Sequence, residues 1–407
     1  MKIIPIENQK RKCLNSLVIH YSALLFSYCG TGYQGMQINP MVPTIELDLL
    51  KALALSGAVS EDNSMKPNKI GFVRCARTDK GVHAGGQVVS FKMILEQDII
   101  EKINNYLPPQ IRVWGYARVN NSFSAHTLCD SRIYEYLLPT YCFMEASAID
   151  YPFSNVAIET DMTLEKSGRT LFQPREVIEP TIEEMKLKRQ YRITNQKLDQ
   201  FNSILSKYVG THNYHNFTVG KSFNDRSAQR YITLCEAGVP FLQDGAEWLS
   251  IKIHGQSFML HQIRKMMGLG IMLMRTNSPL TIFETVFGQE RINIPKAPPI
   301  GLLLERPIFA KYNENVGVKE DKHEINFDQY KDDINAFKTE WIYKTIHEDE
   351  TKENHFEQWM RLVDSCSDDY GWYLTPEGKN VDIKPPTLFQ KGVVSSEILP
   401  PGDDGEE

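Results

Sequence analysis

Predicted strands and helices alternate in two stretches of the chain, and this repeated order constrains the fold more than any other feature. In the first stretch, residues 17–29 are apolar, aromatic and β-branched, which predicts a buried strand. Residues 44–56 predict a helix, because Thr44 fits its N-cap and apolar residues keep helical spacing. Strand-like sequence returns at Val88–Phe91 and at Ile111–Val119.

The second stretch begins with a predicted helix near residues 195–209. Strands follow around residues 231–237 and 248–254, and a further helix covers about residues 259–274. Within the first stretch, residues 57–70 are polar and predict a loop. Two copies of the same order predict two α/β halves around one sheet system.

Changes in composition divide the chain into six segments. The least periodic part predicts an insertion, and the end of the chain, rich in Pro, Gly and acidic residues, predicts a loose tail. The segments are a polar basic tail (1–16), an N-terminal half that holds Asp79 (17–143), the insertion or connector (144–200), a C-terminal half (201–312), an acidic helical extension (313–375) and a loose acidic tail (376–407).

The composition is that of a soluble globular protein, with 42% hydrophobic and 24% charged residues. The sequence has no apolar run of about 18 residues and no secretory leader, so we expect a protein that is neither secreted nor embedded in a membrane. Seven cysteines without a C-x-x-C pair predict reduced thiols in an intracellular compartment, and no structural zinc cluster.

Charge is unevenly distributed along the chain. Residues 1–312 carry 35 Lys and Arg against 28 Asp and Glu, whereas residues 313–407 carry 10 against 23. The body therefore has a net charge of +7 and the C-terminal quarter −13. A basic body is compatible with phosphate binding, because the affinity depends on local Lys and Arg rather than on total charge. The alternative is an acidic solubilising extension on a neutral body.

Residues 30–35 (GTGYQG) match the G-x-G-x-x-G pattern of dinucleotide-binding folds. The surroundings disagree, because Pro40 and Pro43 prevent a long helix and no acidic residue ends a second strand about 20 residues further on. The alternative is a glycine-rich turn after the first strand that presents Tyr33 and Gln34.

The segment Phe72–Phe91 carries the most informative chemistry. Arg77, Thr78 and Asp79 occupy a predicted loop closed by Gly81. Basic neighbours keep such a carboxylate ionised, so Asp79 is a candidate nucleophile or base. The alternative is an Asx-type turn in which the carboxylate caps local N–H groups.

Two other segments place polar groups in apolar surroundings. The alternation of residues 131–136 puts Tyr134 and Tyr136 on one face of a strand, where core packing is the alternative to a functional role. Arg264 lies in the apolar helix of the second stretch and needs an anionic partner or water. Asp79 would be such a partner, and the alternative is an Arg that reaches solvent from the helix edge.

The acidic extension predicts two amphipathic helices, at residues 332–346 and 355–364. We expect them to pack on the outer surface of the body, beside rather than inside a cleft, and a separate protein-interaction module is the alternative. The large apolar residues at helical spacing are Ile334, Phe337, Trp341, Phe356, Trp359, Met360 and Val363.

Together, these segments resemble the TruA family of tRNA pseudouridine synthases, with matching blocks in the expected order between about Leu24 and Glu305. The Cys75-Ala76 lead-in, the block at 210–231 and the C-terminal helices resemble the eukaryotic multisite branch, which includes a nuclear enzyme. The blocks are GTGYQGMQ (30–37), RTDKGVHAGGQV (77–88), RIYEY (132–136), residues 210–231, FMLHQIRKMMG (258–268) and APPIGLLLE (297–305).

The resemblance implies the pseudouridine synthase fold, an α+β (mixed α/β) architecture. Two α/β halves would surround a central, mostly antiparallel sheet with a catalytic cleft, and a C-terminal helical extension would follow. The family isomerises uridine to pseudouridine in RNA without a cofactor. The alternative from another class is a catalytically silent RNA-binding protein of the same fold, for instance a tRNA folding helper.

The resemblance also implies partners and a location. The substrate would be tRNA, with snRNA and mRNA as further candidates, and neither a membrane nor a nucleotide cofactor is expected. The expected location is the nucleus, with the cytoplasm as the alternative, and the expected state is a monomer or a homodimer. The short basic patch at residues 9–12 could be a nuclear address, although a solvated terminus is the alternative.

The resemblance assigns three catalytic residues. Asp79 would act at C1′ of the target ribose, either by forming a covalent adduct or by abstracting a sugar proton. Tyr134 would stack on the uracil and could take the C5 proton. Arg264 would pair with Asp79.

The same match assigns the groups that hold the RNA. Arg77 would fill the space of the flipped nucleotide or hold its phosphate, and Leu303 would form a wall of the base pocket. His83 stands where many eukaryotic members have Ser. The substrate- and RNA-binding residues implied in this way are Arg77, Lys80, His83, Leu303, Tyr33 and Arg132.

Overall fold

The computed structural model describes residues 19–39, 41–64, 66–145, 179–316 and 322–365. The predicted tails (1–16 and 376–407) and most of the predicted insertion lie outside these residues. The described residues form two compact units. Unit 1 lies within Met1–Leu138, Ser250–Ser257 and Pro299–Asn354, and unit 2 within Pro139–Leu249, Phe258–Pro298 and His355–Glu407.

The predicted alternation of strands and helices is confirmed in the described residues. The strands are β1 (Ile19–Tyr28), β2 (Val73–Arg74), β3 (His83–Ile94), β4 (Ile111–Arg118), β5 (Ser131–Pro139), β6 (Gly210–Asn213), β7 (Gln229–Ala237), β8 (Phe241–Gln243), β9 (Ala246–Gly255) and β10 (Leu302–Ile308). The α-helices are α1 (Ile45–Leu55), α2 (Glu61–Ser64), α3 (Pro67–Ile70), α4 (Ile99–Tyr106), α5 (Ile182–Arg189), α6 (Asn195–Ser206), α7 (Gln262–Thr276), α8 (Ile282–Val286), α9 (Ala310–Val316), α10 (Lys331–Phe337), α11 (Lys344–Glu353) and α12 (His355–Ser365). None of these helices is long and apolar enough to cross a membrane.

The sheet of unit 1 has the strand order β4, β1, β3, β10, β5, and β2 pairs with β3. Strand β10 runs parallel to β3 and antiparallel to β5, while β1 is antiparallel to both β3 and β4. Strand β1 is buried along most of its length, as its continuous apolar sequence predicts. The predicted α+β class with a mostly antiparallel sheet is therefore confirmed.

Helix α1 begins as predicted, because the Thr44 hydroxyl accepts a hydrogen bond from the Leu47 N–H at 3.4 Å. The prediction of a loop over residues 57–70 is wrong, since α2 and α3 lie there. Helix α3 has Pro67 in its first turn and ends at Gly71, whose φ of 66° favours glycine. Helix α4, which buries Ile99 and Ile103, was not predicted from the sequence.

Unit 2 contains the predicted helices α6 and α7, and its strands pair as two antiparallel hairpins, β6 with β7 and β8 with β9. Its interior holds a cluster of rings around Tyr208, whose hydroxyl donates to the Met266 carbonyl at 2.9 Å. Aromatic side chains thus hold β6 and the following loop against α7 and α8. The rings are Tyr208, Tyr214, Phe217, Phe283 and Phe287.

The acidic extension buries five of the seven apolar residues that the sequence singles out, Ile334, Phe337, Phe356, Met360 and Val363. In unit 1, the Phe337 ring meets the Trp114 ring edge-on at 5.8 Å, and Ile342 and Ile346 are fully buried. Residues 338–343 form a π-helical turn between α10 and α11, which rotates Trp341 to a half-buried position. Helix α12 belongs to unit 2, where Phe356 is buried and Trp359 is half-buried.

Candidate active site

The loop between β2 and β3 presents Asp79. Its carboxylate is half-buried, while Arg77 and Lys80 on either side are exposed. Gly81 has a φ of 74°, and the Val82 N–H donates to the Asp79 carbonyl at 3.1 Å, which turns the chain into β3. The loop therefore exposes two cations beside one partly shielded carboxylate.

The glycine-rich turn at residues 30–35 packs against this loop. The Met36 N–H donates to the Thr78 carbonyl at 3.1 Å, and a Cβ atom at Gly35 would come within 3.0 Å of the same oxygen. A Cβ atom at Gly30 would overlap the Val82 carbonyl. The glycines are therefore needed for close approach of two backbones, and the interpretation as a glycine-rich turn is confirmed.

Side chains of the sheet tie the same loop from the other side. The Tyr28 hydroxyl lies 2.7 Å from the Thr78 hydroxyl, and both are buried. The Gln87 amide donates to the Ala76 carbonyl at 3.0 Å. Sequence reasoning missed Tyr28 and Gln87, although a Gln between glycines and a buried apolar strand was a signal of a polar contact in the core.

Arg132 forms a further tie to the loop. Its guanidinium donates to the Cys75 carbonyl at 2.9 Å and to the Gln256 carbonyl at 3.2 Å, and the side chain is almost completely buried. The structure thus assigns Arg132 to holding the loop and not to an exposed RNA-binding surface.

Strand register decides which side chains share a face with the loop. Leu304 pairs with Ala84 on β3 and with Tyr134 on β5, so these side chains share one face. Arg132 lies two residues from Tyr134 and reaches the Asp79 loop from the same face. We call this side of the unit 1 sheet the loop face.

The opposite side carries different residues. Leu303 pairs with His83 and with Glu135, and these three side chains point away from Tyr134. We call this side the extension face, because Lys338 of the extension contacts Glu135 there. Leu303 therefore cannot line a pocket together with Tyr134, and Leu304 is the residue of that run that shares its face. The sequence alone could not distinguish them, because a shift of one residue inverts the faces.

Tyr134 is buried, with 8% of its surface exposed. Burial raises the pKa of its phenol well above the usual value, the Arg132 charge opposes this, and the Asp79 charge acts in the same direction as burial. The phenol is therefore neutral at physiological pH. A neutral ring beside an aspartate loop can stack on a base, and its hydroxyl can donate a hydrogen bond.

Two residues that were predicted to contact RNA, His83 and Tyr33, are buried. His83 is fully buried, and its Nδ1 accepts a hydrogen bond from the Gly30 N–H at 3.1 Å. Burial lowers the pKa of His83 to about 4, against an opposing interaction with the Ile300 backbone, so the ring is neutral. Tyr33 is also buried, and its hydroxyl donates to the Asp48 carboxylate at 2.7 Å. Both side chains support the glycine-rich turn instead of facing solvent.

Arg264 lies on α7 in unit 2. Its Nε donates to the Ala297 carbonyl at 2.8 Å, and the Ala297 N–H donates to the Arg264 carbonyl at 3.0 Å. The Nε contact holds the guanidinium end of the side chain, which is half-buried. Its pairing with Asp79 of unit 1 remains a prediction.

Comparisons with known proteins agree with the sequence blocks. Residues 204–310 match the family model described as tRNA pseudouridine synthase. The chain is 40% identical to tRNA pseudouridine synthase 1 of Yarrowia lipolytica, over 88% of this chain and 76% of that protein. It is 42% identical to tRNA pseudouridine synthase 1 of Saccharomyces cerevisiae (84% and 71% covered) and 39% identical to the pseudouridylate synthase 1 homolog of Mus musculus (84% and 73% covered). On this likeness, extended over most of the chain, the protein belongs to the TruA family of tRNA pseudouridine synthases.

Proposed function

We propose that this chain converts specific uridines of tRNA to pseudouridine, with Asp79 as the catalytic aspartate. The observation that carries this proposal is the placement of Asp79 on a loop tied down at successive backbone carbonyls, on the same side of the sheet as a neutral Tyr134. The names of the relatives supply the substrate class, tRNA.

The reaction is an isomerisation and needs no oxidant or reductant. The N1–C1′ bond of the uridine breaks, the uracil turns within the site, and C5 forms a bond to C1′. The C5 proton leaves and N1 gains a proton, so atoms and electrons balance. The Asp79 carboxylate acts at the sugar, either as a nucleophile at C1′ or as a base, and both routes begin from its ionised form.

The neighbouring groups have distinct roles in this proposal. The target base must leave its stack to reach Asp79, which costs a few kcal/mol, and the exposed Arg77 and Lys80 are placed to attract the RNA backbone. Tyr134, whose buried phenol stays protonated, stacks on the uracil. Arg264 holds the Asp79 carboxylate ionised if the predicted pair forms.

The test uses tRNA transcripts labelled with tritium at C5 of uridine. Wild-type protein should release tritium and yield pseudouridine in nucleoside analysis. Asp79→Asn, which keeps the size of the side chain but removes its charge, should release none while tRNA affinity stays within about threefold. Turnover by the variant would refute the role of Asp79, and wild-type protein that binds tRNA without releasing tritium would favour the catalytically silent alternative.

We also propose that the protein acts in the nucleus. The supporting feature is the basic run Gln9-Lys10-Arg11-Lys12, together with the resemblance to a branch that includes a nuclear enzyme. A fluorescent fusion of the full chain should accumulate in nuclei, and replacement of Lys10, Arg11 and Lys12 by Gln should shift it to the cytoplasm. An equal distribution of both proteins would contradict the proposal.

A further inference from the structure

Glu135 follows Tyr134 directly in β5 but points to the extension face, where it lies in a cluster of buried charges. The Glu135 Oε2 accepts from the Lys338 ammonium at 3.0 Å and from the Tyr343 hydroxyl at 2.8 Å. Lys252 lies 3.0 Å from the same oxygen, and the Ser250 hydroxyl donates to Oε1. Only 3% of Glu135 is exposed.

The extension reaches this carboxylate through its π-helical turn. Lys338 and Tyr343 are five residues apart, and in an α-helix such residues point about 140° away from each other. The wider π-turn brings both side chains onto one oxygen of Glu135. The extension thus departs from regular α-helical geometry where it contacts β5.

Strand β3 has glycines where the Lys338 side chain crosses the sheet. A Cβ atom at Gly85 would lie 3.1 Å from the Lys338 Cδ, so the aliphatic stem crosses β3 at a residue without a side chain. A Cβ atom at Gly86 would lie 3.0 Å from the ring of Phe327, which belongs to the extension. The pair Gly85-Gly86, which the mechanism does not otherwise use, therefore forms part of the same contact.

Charge in the cluster is balanced. Lys338 also lies 2.5 Å from Glu305, and Lys252 lies 3.7 Å from it, so two carboxylates face two ammonium groups. Burial alone would raise the pKa of Glu135, but Lys338, Lys252 and the Ser250 hydroxyl hold it below its usual value. Lys338 is itself buried, and its removal would leave Glu135 and Glu305 with one partly exposed cation.

We propose that Lys338 and Tyr343 are positioning residues for catalysis, which hold β5 through Glu135 and so set the location of Tyr134. The inference rests on the proposed function and adds a role for the acidic extension in it. Adjacent residues of one strand share a backbone, so a shift of Glu135 moves Tyr134 by a similar distance. A displacement of about 1 Å at a reacting centre can lower a rate about a hundredfold.

The first experiment measures single-turnover pseudouridine formation and tRNA affinity separately. Lys338→Met keeps the stem and removes the charge, and Tyr343→Phe removes only the hydroxyl. We expect Lys338→Met to slow the single-turnover rate at least about tenfold and Tyr343→Phe to slow it less, with tRNA dissociation constants within about twofold of wild type. The matched control is Lys344→Met, since Lys344 lies in the same helical segment with 63% of its side chain exposed. Folded Lys338→Met protein with the wild-type rate would overturn the proposal.

A second variant separates positioning from stability. Glu135→Gln combined with Lys338→Met removes one charge of each sign and leaves Lys252 opposite Glu305. We expect the double variant to regain much of the thermal stability lost by Lys338→Met while its rate stays low. If the thermal stability and the rate recovered together, Lys338 would act only on stability, and its positioning role would be refuted.

A third readout does not depend on activity. Hydrogen exchange of the β5 amides in free protein should be faster in Lys338→Met than in wild type or in Lys344→Met. Wild-type protein that makes no pseudouridine would refute the proposed function, yet the exchange measurement would still test the contact. Unchanged exchange in β5 would overturn the contact itself, whatever the activity.

Discussion

The two faces of the unit 1 sheet hold their side chains in opposite ways. On the loop face, Arg132 and Gln87 donate to backbone carbonyls of the Asp79 loop, the Tyr28 hydroxyl contacts the Thr78 hydroxyl, and the flanking cations stay exposed. On the extension face, charged groups are buried and pair with one another. The loop face thus holds its loop through backbone carbonyls and a hydroxyl pair, whereas the extension face pairs buried carboxylates with ammonium groups.

Removal of the extension should abolish the difference between the two faces most completely. A chain that stops after Tyr312 loses the burial of Ile334, Phe337, Ile342 and Ile346, worth about 6–12 kcal/mol for four such side chains. This approaches the whole stability of a domain, about 5–15 kcal/mol. We expect aggregation or loss of cooperative unfolding in thermal denaturation. The control stops after Ser365, and a soluble, fully active chain ending at Tyr312 would support a separate interaction module.

The loop face is tested most severely by Gly30→Ala. The added Cβ atom would collide with the Val82 carbonyl and push the Asp79 loop away from the turn. We expect a loss of about 1–3 kcal/mol in the free energy of unfolding and at least about a hundredfold loss of activity. Urea denaturation and tritium release measure the two effects. The neighbouring exposed Thr31→Ala should change neither, and a fully active Gly30→Ala protein would show that the backbone contact is dispensable.

His83 should make the stability of the protein depend on pH. It shares the extension face with Leu303, and it accepts a hydrogen bond from the glycine-rich turn. Its pKa in the folded protein, about 4, lies below the usual value of about 6.5. Stability from a neutral buried His83 is therefore complete above pH 6.5 and declines as pH falls towards 4, by up to about 3 kcal/mol. Urea denaturation at several pH values should show a shallower decline for His83→Gln. Identical slopes would contradict this account.

Tyr28→Phe should have the smallest effect among the changes to contacts that hold the Asp79 loop. It removes one hydroxyl and leaves the buried Thr78 hydroxyl without that partner. We expect a loss of about 1 kcal/mol in the free energy of unfolding and a several-fold drop in single-turnover rate with unchanged tRNA affinity. Tyr106→Phe, at an exposed tyrosine, is the control. A rate equal to wild type would mean that the backbone contacts alone position Asp79.

Sequence reasoning found the elements with strong local signals. Strand β1 has a continuous apolar run, α1 has its Thr44 cap, and the Asp79 block has an unusual spacing of Arg, Asp and Gly. It could not assign Leu303 and Leu304 to faces, because strand register depends on partners more than 160 residues away. The burial of His83 and Tyr33 likewise depends on the packing of one loop beneath another.

The contact of Lys338 with Glu135 was also beyond sequence reasoning. A spacing of five residues is not a periodicity of the α-helix, so the pattern that predicts amphipathic faces favoured Trp341 over Ile342. The partner lies 203 residues away in the chain. Irregular helix geometry and long-range ion pairs are the features for which local patterns carry the least information.

The position of β10 also has a consequence for biosynthesis. This strand lies between β3 and β5 in the sheet, although it is made about 200 residues after β3. At translation rates of about 5–20 residues per second, the inner edges of β3 and β5 remain unpaired on the ribosome for about 10–40 s. Open strand edges invite pairing with other chains. We therefore expect the nascent chain to present these open edges to other chains until β10 has been made.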